Sequence, residues 1–216
     1  SIEELTHHLS IDTRRGDTIT AYANEAHFSW FLEQQIPFRI MAPRSFRNTS
    51  APSFKGTTHD WNVYPSYGQY LQMIESFAAD HPDICTLLEF GRSVNDRKLL
   101  ALKISDNPLA DEPEPVFLYT STMHGDEATG YILLLRLIDS LLTAYETDKV
   151  IRELIDHTEI WINPLFNPDG FYFESDSLVF HPTRFNANRA DLNRNFPDPL
   201  KGDHPDGLAW QPETIA

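Results

Sequence analysis

The sequence has a single cysteine, Cys85, among its 216 residues. That excludes a disulfide framework within one chain and a metal site built from clustered cysteines. Its neighbours in "HPDICTLLEF" are largely apolar, which suits a small buried side chain. Basic residues are scarce too: 17 Lys and Arg stand against 32 Asp and Glu, a formal net charge of −15 with His neutral. A chain of that sign opposes a phosphate backbone, so nucleic acid is not an expected partner. The charge favours cationic partners at long range and otherwise serves solubility. No apolar run is long enough to span a bilayer. There is no internal repeat. The opening "SIEELTHHLS" is polar and lacks an initiating Met, so it reads as no signal peptide and does not decide between export and cytoplasm.

What is present suffices for a core. The chain is 41% hydrophobic and 12% aromatic, consistent with one large domain or a domain plus a small attachment. Ile19–Tyr22 alternates like a strand, Glu25–Gln34 looks helical, and Phe38–Met41 looks extended. Residues 1–43 therefore read as a small strand–helix–strand unit. Residues 44–60 are rich in Pro, Ser, Thr and Gly without periodicity, and read as a linker or wrapping loop. That stretch includes Asn48, in an "NTS" triplet that fits a glycosylation acceptor but is common by chance.

From Trp61 the pattern changes. Apolar spacing at Tyr70, Met73, Ile74 and Phe77 predicts a helix over 67–80. Strands are expected at Thr86–Phe90, Lys98–Ile104, Val116–Tyr119 and in "EIWINP". Helices are expected over Ala128–Leu142 and Asp148–His157. Strands alternating with helices predict an α/β fold, a mixed and mostly parallel sheet flanked by helices. The closing "QPETIA" reads as the start of a further helix.

Three segments carry candidate chemistry. "HGDE", from His124 to Glu127, follows a strand and opens a helix. An imidazole and a carboxylate three positions apart, with Gly125 relaxing the backbone, suit zinc; they equally suit a polar turn with acids at a helix N-terminus. "NPDG", Asn167 to Gly170, is a strong turn sequence at a strand's carboxyl end. "TRFNANRADLNRNFPDP" gathers Arg184, Arg189, Arg194 and several asparagines around Asp191. It reads either as an anion-recognition pocket or as a solvated loop with internal ion pairs.

Taken in order, "HGDE", "NPDG" and "DLNRNFPD" resemble the zinc metallocarboxypeptidases of the carboxypeptidase A/B type, with "DLNRNFPD" closest to the N/E branch. The resemblance covers roughly residues 61–216, and it implies a zinc-dependent hydrolase acting on the C-termini of peptides or proteins. His124 and Glu127 match its first two zinc ligands. Asp191 matches the carboxylate that orients the first zinc histidine. Asn193 and Arg194 match the pair that grips the substrate's terminal carboxylate, and Arg184 matches the arginine that stabilises the oxyanion, with Arg189 as a competitor across "NANRA". Asp126 stands where the branch often has Asn. Residues 18–41 resemble, more faintly, part of a pro-segment, and family habit favours a secreted or periplasmic protein. The oligomeric state is not legible.

The family also requires a third histidine ligand and a general-base glutamate. None of His157, His181 and His204 has the matching context; each reads as a surface or loop residue. The chain thus resembles the amino-terminal part of a catalytic domain, with little activity expected from it alone. Two other readings share the motifs: an amidohydrolase of N-acyl amino acids on the same fold, and a non-catalytic carboxylate-binding relative.

Overall fold

The structure is a computed structural model that describes residues 2–6, 8–23, 25–41, 60–200, 202, 204 and 206–216. The linker expected over 44–60, with Asn48, lies outside the described residues apart from Asp60.

The N-terminal unit runs α1 (Ile2–Thr6), β1 (Ser10–Arg15), β2 (Thr18–Tyr22) and α2 (Glu25–Glu33). Strands β1 and β2 form an antiparallel hairpin in which Arg15 pairs with Thr18 across Gly16, itself at φ +60°. A two-residue Gly-Asp loop is a hairpin signal. The strand expected at Phe38–Met41 is not formed: residues 36–41 have no regular structure and are exposed.

The larger unit opens with α3 (Tyr67–Asp80). Ser66 Oγ accepts from Gln69 N at 3.2 Å and Gln69 Oε1 accepts from Ser66 N at 2.8 Å, a reciprocal cap that fixes where the helix begins. Its buried stripe is Tyr70, Met73, Ile74 and Phe77, the residues whose spacing predicts it. Next come β3 (Cys85–Arg92), β4 (Lys98–Ile104), β5 (Val116–Thr120), α4 (Thr129–Ala144), α5 (Lys149–Ile155), β6 (Glu159–Asn163), α6 (Pro168–Phe171), a 3₁₀ turn (Leu192–Arg194) and α7 (Pro212–Ile215).

The strands form one mixed sheet in the order β3-β4-β6-β5. The α/β class and the mixed sheet stand, but the parallel share is smaller than expected among the described strands. Only β5 and β6 are parallel, while β3–β4 and β4–β6 are antiparallel. The connections explain this. Residues 93–97 close β3 and β4 into a hairpin, whereas β5 and β6 are joined through α4 and α5, the crossover that parallel strands need.

Helices α3 and α4 pack on each other over the sheet. Six side chains of α4 are buried: Tyr131, Leu134, Leu135, Ile138, Leu141 and Leu142. An aromatic row ties this core to α6. Tyr131 stands 4.9 Å from Phe171 ring to ring, and its hydroxyl lies 3.0 Å from that of Tyr172, which donates to Pro65 O at 2.8 Å. Edge-on rings with paired hydroxyls give area burial and direction together. Strand β5 differs. It lies at the sheet's edge, with Val116 60%, Phe117 51% and Leu118 68% exposed.

Truncating Leu135 to Ala removes a fully buried side chain and is expected to cost about 2–5 kcal/mol. Leu133→Ala, on the exposed side of the same helix, should stay within about 0.5 kcal/mol. Equal shifts of the urea midpoint for the two would show that α4 does not pack this way. Cys85 is buried, and burial pushes its thiol up to about 12. A thiol-specific chromogenic reagent at pH 8 should label it only after denaturation; rapid labelling of native protein would contradict its burial.

Candidate metal and carboxylate site

The parallel pair β5–β6 places two loops side by side at its carboxyl end, where ligands bind in open α/β sheets. The first loop carries "HGDE" and the second "NPDG". The ladder continues between them: Ser121 N donates to Asn163 O at 3.1 Å and Phe166 N to Ser121 O at 3.0 Å. "NPDG" forms a capped helical turn, α6, with Asn167 Oδ1 accepting from Gly170 N at 2.8 Å. A third segment, 183–185, packs against both loops. A Cβ on Gly125 would lie 2.2 Å from Gly170 C and 2.5 Å from Thr183 O, so only glycine permits this backbone approach.

His124 is 6% exposed. Its Nε2 lies 3.1 Å from Asp191 Oδ1, and its Nδ1 lies 3.2 Å from Glu127 Oε1. Because the Asp191 carboxylate accepts, Nε2 is the donor and Nδ1 is the ring nitrogen that faces Glu127. Two ligand atoms bound tetrahedrally at zinc distances stand about 3.3 Å apart. The His124–Glu127 spacing therefore fits one zinc ion, and Asp191 supplies the outer contact that holds the ring.

Asp191 is the hub of the site. Its Oδ1 accepts from His124 Nε2 and from Asn193 N at 3.0 Å; its Oδ2 accepts from Arg184 Nε at 3.0 Å and from the Ser10 hydroxyl. Burial alone would raise its carboxyl. The His124 hydrogen bond, the Arg184 charge and the Ser10 hydroxyl outweigh that and hold it well below the usual carboxylate range. Asp191 also caps the 3₁₀ turn Leu192–Arg194, so the "DLNR" sequence places Asn193 and Arg194 within one turn of the residue that bonds His124.

Arg184 is buried, with Nη1 3.8 Å from Glu127 Oε1 and its guanidinium 5.1 Å from the Tyr22 ring centre. Arg189 points elsewhere: it is largely exposed and pairs with Glu25 at 3.2 Å. Asn193 is exposed and Arg194 half-buried; Arg194 Nη1 donates to Asn193 O at 3.0 Å, and among the described residues no carboxylate pairs with it. Asp126 is half-buried and its Oδ1 has no hydrogen-bond partner among the described residues; burial raises its carboxyl against the pull of Arg184.

His124, Glu127, Arg184 and Asp191 touch one another, whereas Asn193 and Arg194 follow Asp191 in the 3₁₀ turn with Asn193 exposed and Arg194 half-buried. Among the described residues no third imidazole joins them. His157, His181 and His204 are exposed loop residues, His181 pairing with Glu174 at 3.1 Å. Sequence reasoning missed Ser10 and Tyr22, whose approach depends on how the N-terminal hairpin folds back. It also missed Thr122, which takes φ +56°.

The sequence model described as zinc carboxypeptidase matches residues 70–209. The chain belongs to the zinc carboxypeptidase family. Among relatives, carboxypeptidase D of Mus musculus is 43% identical over 146 residues, 66% of this chain and 10% of that protein. Carboxypeptidase M of Mus musculus is 40% identical over 145 residues, 66% of this chain and 32% of that protein. The chain therefore spans a third or less of these relatives' length. In fold it is similar to the carboxypeptidase A structure from Helicoverpa armigera, with a TM-score of 0.65 at 19% identity, covering 100% of this chain and 62% of that one. Membership in a zinc family agrees with the donor set at His124 and Glu127.

Gly125→Ala should destabilise the protein by at least about 1–3 kcal/mol, since the added methyl meets backbone on two sides. Gly68→Ala, in helix α3 with open space around it, should be neutral or stabilising by up to about 1 kcal/mol. A Gly125→Ala variant with an unchanged urea midpoint would show that the three loops do not pack this closely.

Proposed function

We propose that this chain carries the metal-binding and carboxylate-recognising part of a zinc carboxypeptidase that hydrolyses the C-terminal peptide bond of peptides or proteins. One observation carries the reading: His124 Nδ1 stands 3.2 Å from Glu127 Oε1 while Asp191, bound to the same ring, caps the turn that bears Asn193 and Arg194. A third ligand and a general base are not assigned to any residue of this chain, so turnover is proposed for the protein and not for these residues alone.

Zinc bound by His124 and Glu127 would supply Lewis acidity, lowering the pKa of water and polarising a carbonyl. The remaining roles fall to side chains. Asp191 keeps the His124 tautomer and ring plane fixed. Arg194 offers a forked guanidinium, and Asn193 an amide, to a free terminal carboxylate; anchoring that group presents only the last peptide bond. Arg184, beside Glu127, places positive charge where an oxyanion develops. Asp126 adds negative charge nearby and disfavours acidic substrate side chains.

We also read the N-terminal unit as a pro-segment-like cover. Ser10 bonds Asp191 and Tyr22 lies over Arg184, so the unit rests on the site's own residues, while Glu25 pairs with Arg189 outside it. A secreted or periplasmic location accords with this reading. Among the described residues no helix is long and apolar enough to cross a membrane.

Zinc titration of chelator-stripped protein by calorimetry is the direct test. The unmodified chain should bind one zinc; His124→Ala and Glu127→Gln should abolish binding, and Asp191→Asn should weaken it about 10–100-fold. Anisotropy of a labelled peptide should show binding that is lost on C-terminal amidation and in Arg194→Ala, and strengthened in Tyr22→Ala. Zinc binding that survives His124→Ala, or indifference to amidation, would sink the proposal. N-acyl amino acids that outcompete peptides with the same terminal residue would favour the deacylase instead.

A further inference from the structure

Thr122 is 4% exposed and sits at φ +56°, the left-handed region that a β-branched residue avoids. Strain of this kind persists only where neighbours over-determine it, and it gathers at functional sites. Here bonds from two loops hold it. The backbone N–H of Asn167 donates to Thr122 O at 3.1 Å, and Thr122 Oγ1 donates to Glu127 O at 3.2 Å. The reversed backbone at Thr122 is what turns the chain from β5 into His124.

Asn167 does more than support Thr122. Its side chain is fully buried, and its Nδ2 donates to Met123 O at 3.2 Å and to Arg184 O at 3.3 Å while Oδ1 accepts from Gly170 N. Gly125 N also donates to Arg184 O, at 3.3 Å. One carboxamide thus joins the peptide preceding His124 to the peptide of Arg184. Only an amide of this length offers two donors and an acceptor at these points. The turn bearing it is itself fixed from behind: the buried Asp169 carboxylate takes Arg97 Nη1 at 2.8 Å, Ser93 Oγ at 2.8 Å and Asn95 N at 2.9 Å.

We propose that Asn167, acting with the strained Thr122, is the positioning residue that sets the spacing between the His124–Glu127 pair and Arg184. The inference rests on the zinc-site reading above. Asn167 touches neither metal nor substrate; it acts through the two peptides it clasps. An aspartate in its place keeps the shape and the acceptor but turns a carboxylate toward two carbonyls.

The test compares zinc affinity, and the visible absorption of the cobalt(II) form, in the 216-residue chain and in Asn167→Asp, Thr122→Gly and Leu135→Ala. All are measured at a temperature where circular dichroism shows them folded. Asn167→Asp should weaken zinc at least about tenfold and shift the cobalt bands, as loss of outer contacts does. Thr122→Gly should weaken zinc several-fold without lowering the melting temperature, because glycine takes the left-handed backbone freely. Leu135→Ala, destabilised in the core, should bind zinc within about twofold of the unmodified chain, since its contacts lie outside the site. If Asn167→Asp does not fold, Thr122→Gly alone decides. Zinc affinity and cobalt spectra unchanged in the folded Asn167 and Thr122 variants would overturn the inference and leave the zinc site standing. No zinc binding by the unmodified chain would overturn the zinc-site reading and this inference with it.

Discussion

The site depends on one buried carboxylate and the donors that surround it. Asp191 takes hydrogen bonds from His124, Arg184, Ser10 and the backbone of Asn193, and these come from four separate stretches of chain. A buried anion without such partners is costly, and losing one partner leaves the charge uncompensated. The arrangement is therefore cooperative. The loop after β5, the segment 183–185, the 3₁₀ turn and the N-terminal hairpin satisfy the same two oxygens, and each holds the others in place. The orientation of His124 follows from that satisfaction: with Nε2 committed to Asp191, only Nδ1 remains for Glu127.

Beneath this hub lies a constraint of space. Three loops come together with no side chain at Gly125 or Gly170, and a Cβ on Gly170 would stand 2.6 Å from Phe185 O. The glycines in "HGDE" and "NPDG" thus share one cause, the contact between the loops that carry them. The aromatic row through Tyr131, Phe171 and Tyr172 then joins the turn that carries Gly170 to the core around helix α4.

Much of this was legible in the sequence because it is local. The stripe at Tyr70, Met73, Ile74 and Phe77 fixes α3 by period alone, and "NPDG" announces a capped turn through Asn167. Motif order points to His124, Glu127, Asp191, Asn193, Arg194 and Arg184; the first two sit in the loop after β5, and Asp191 joins His124 to Arg184 by hydrogen bonds. What escaped was long-range or conformational. Ser10 lies 181 positions from its partner Asp191. The left-handed backbone of Thr122 carries no signal in a threonine. The balance of parallel and antiparallel pairing follows from which connections are short, and Phe38–Met41 has strand character but forms no strand.

The bare edge of β5 has a consequence for how the chain behaves as a solute. Among the described residues Val116, Phe117 and Leu118 present apolar side chains and a backbone without a partner strand on the outer side of the sheet, a template for strand addition. Against this stands the net charge of −15, which keeps like chains apart. Their reach differs: the repulsion acts over a Debye length of about 10 Å at 0.1 M salt and shrinks as salt rises, while edge pairing acts only at contact. Colloidal stability of these 216 residues is thus a contest between a screened force and an unscreened one, and ionic strength chooses the winner.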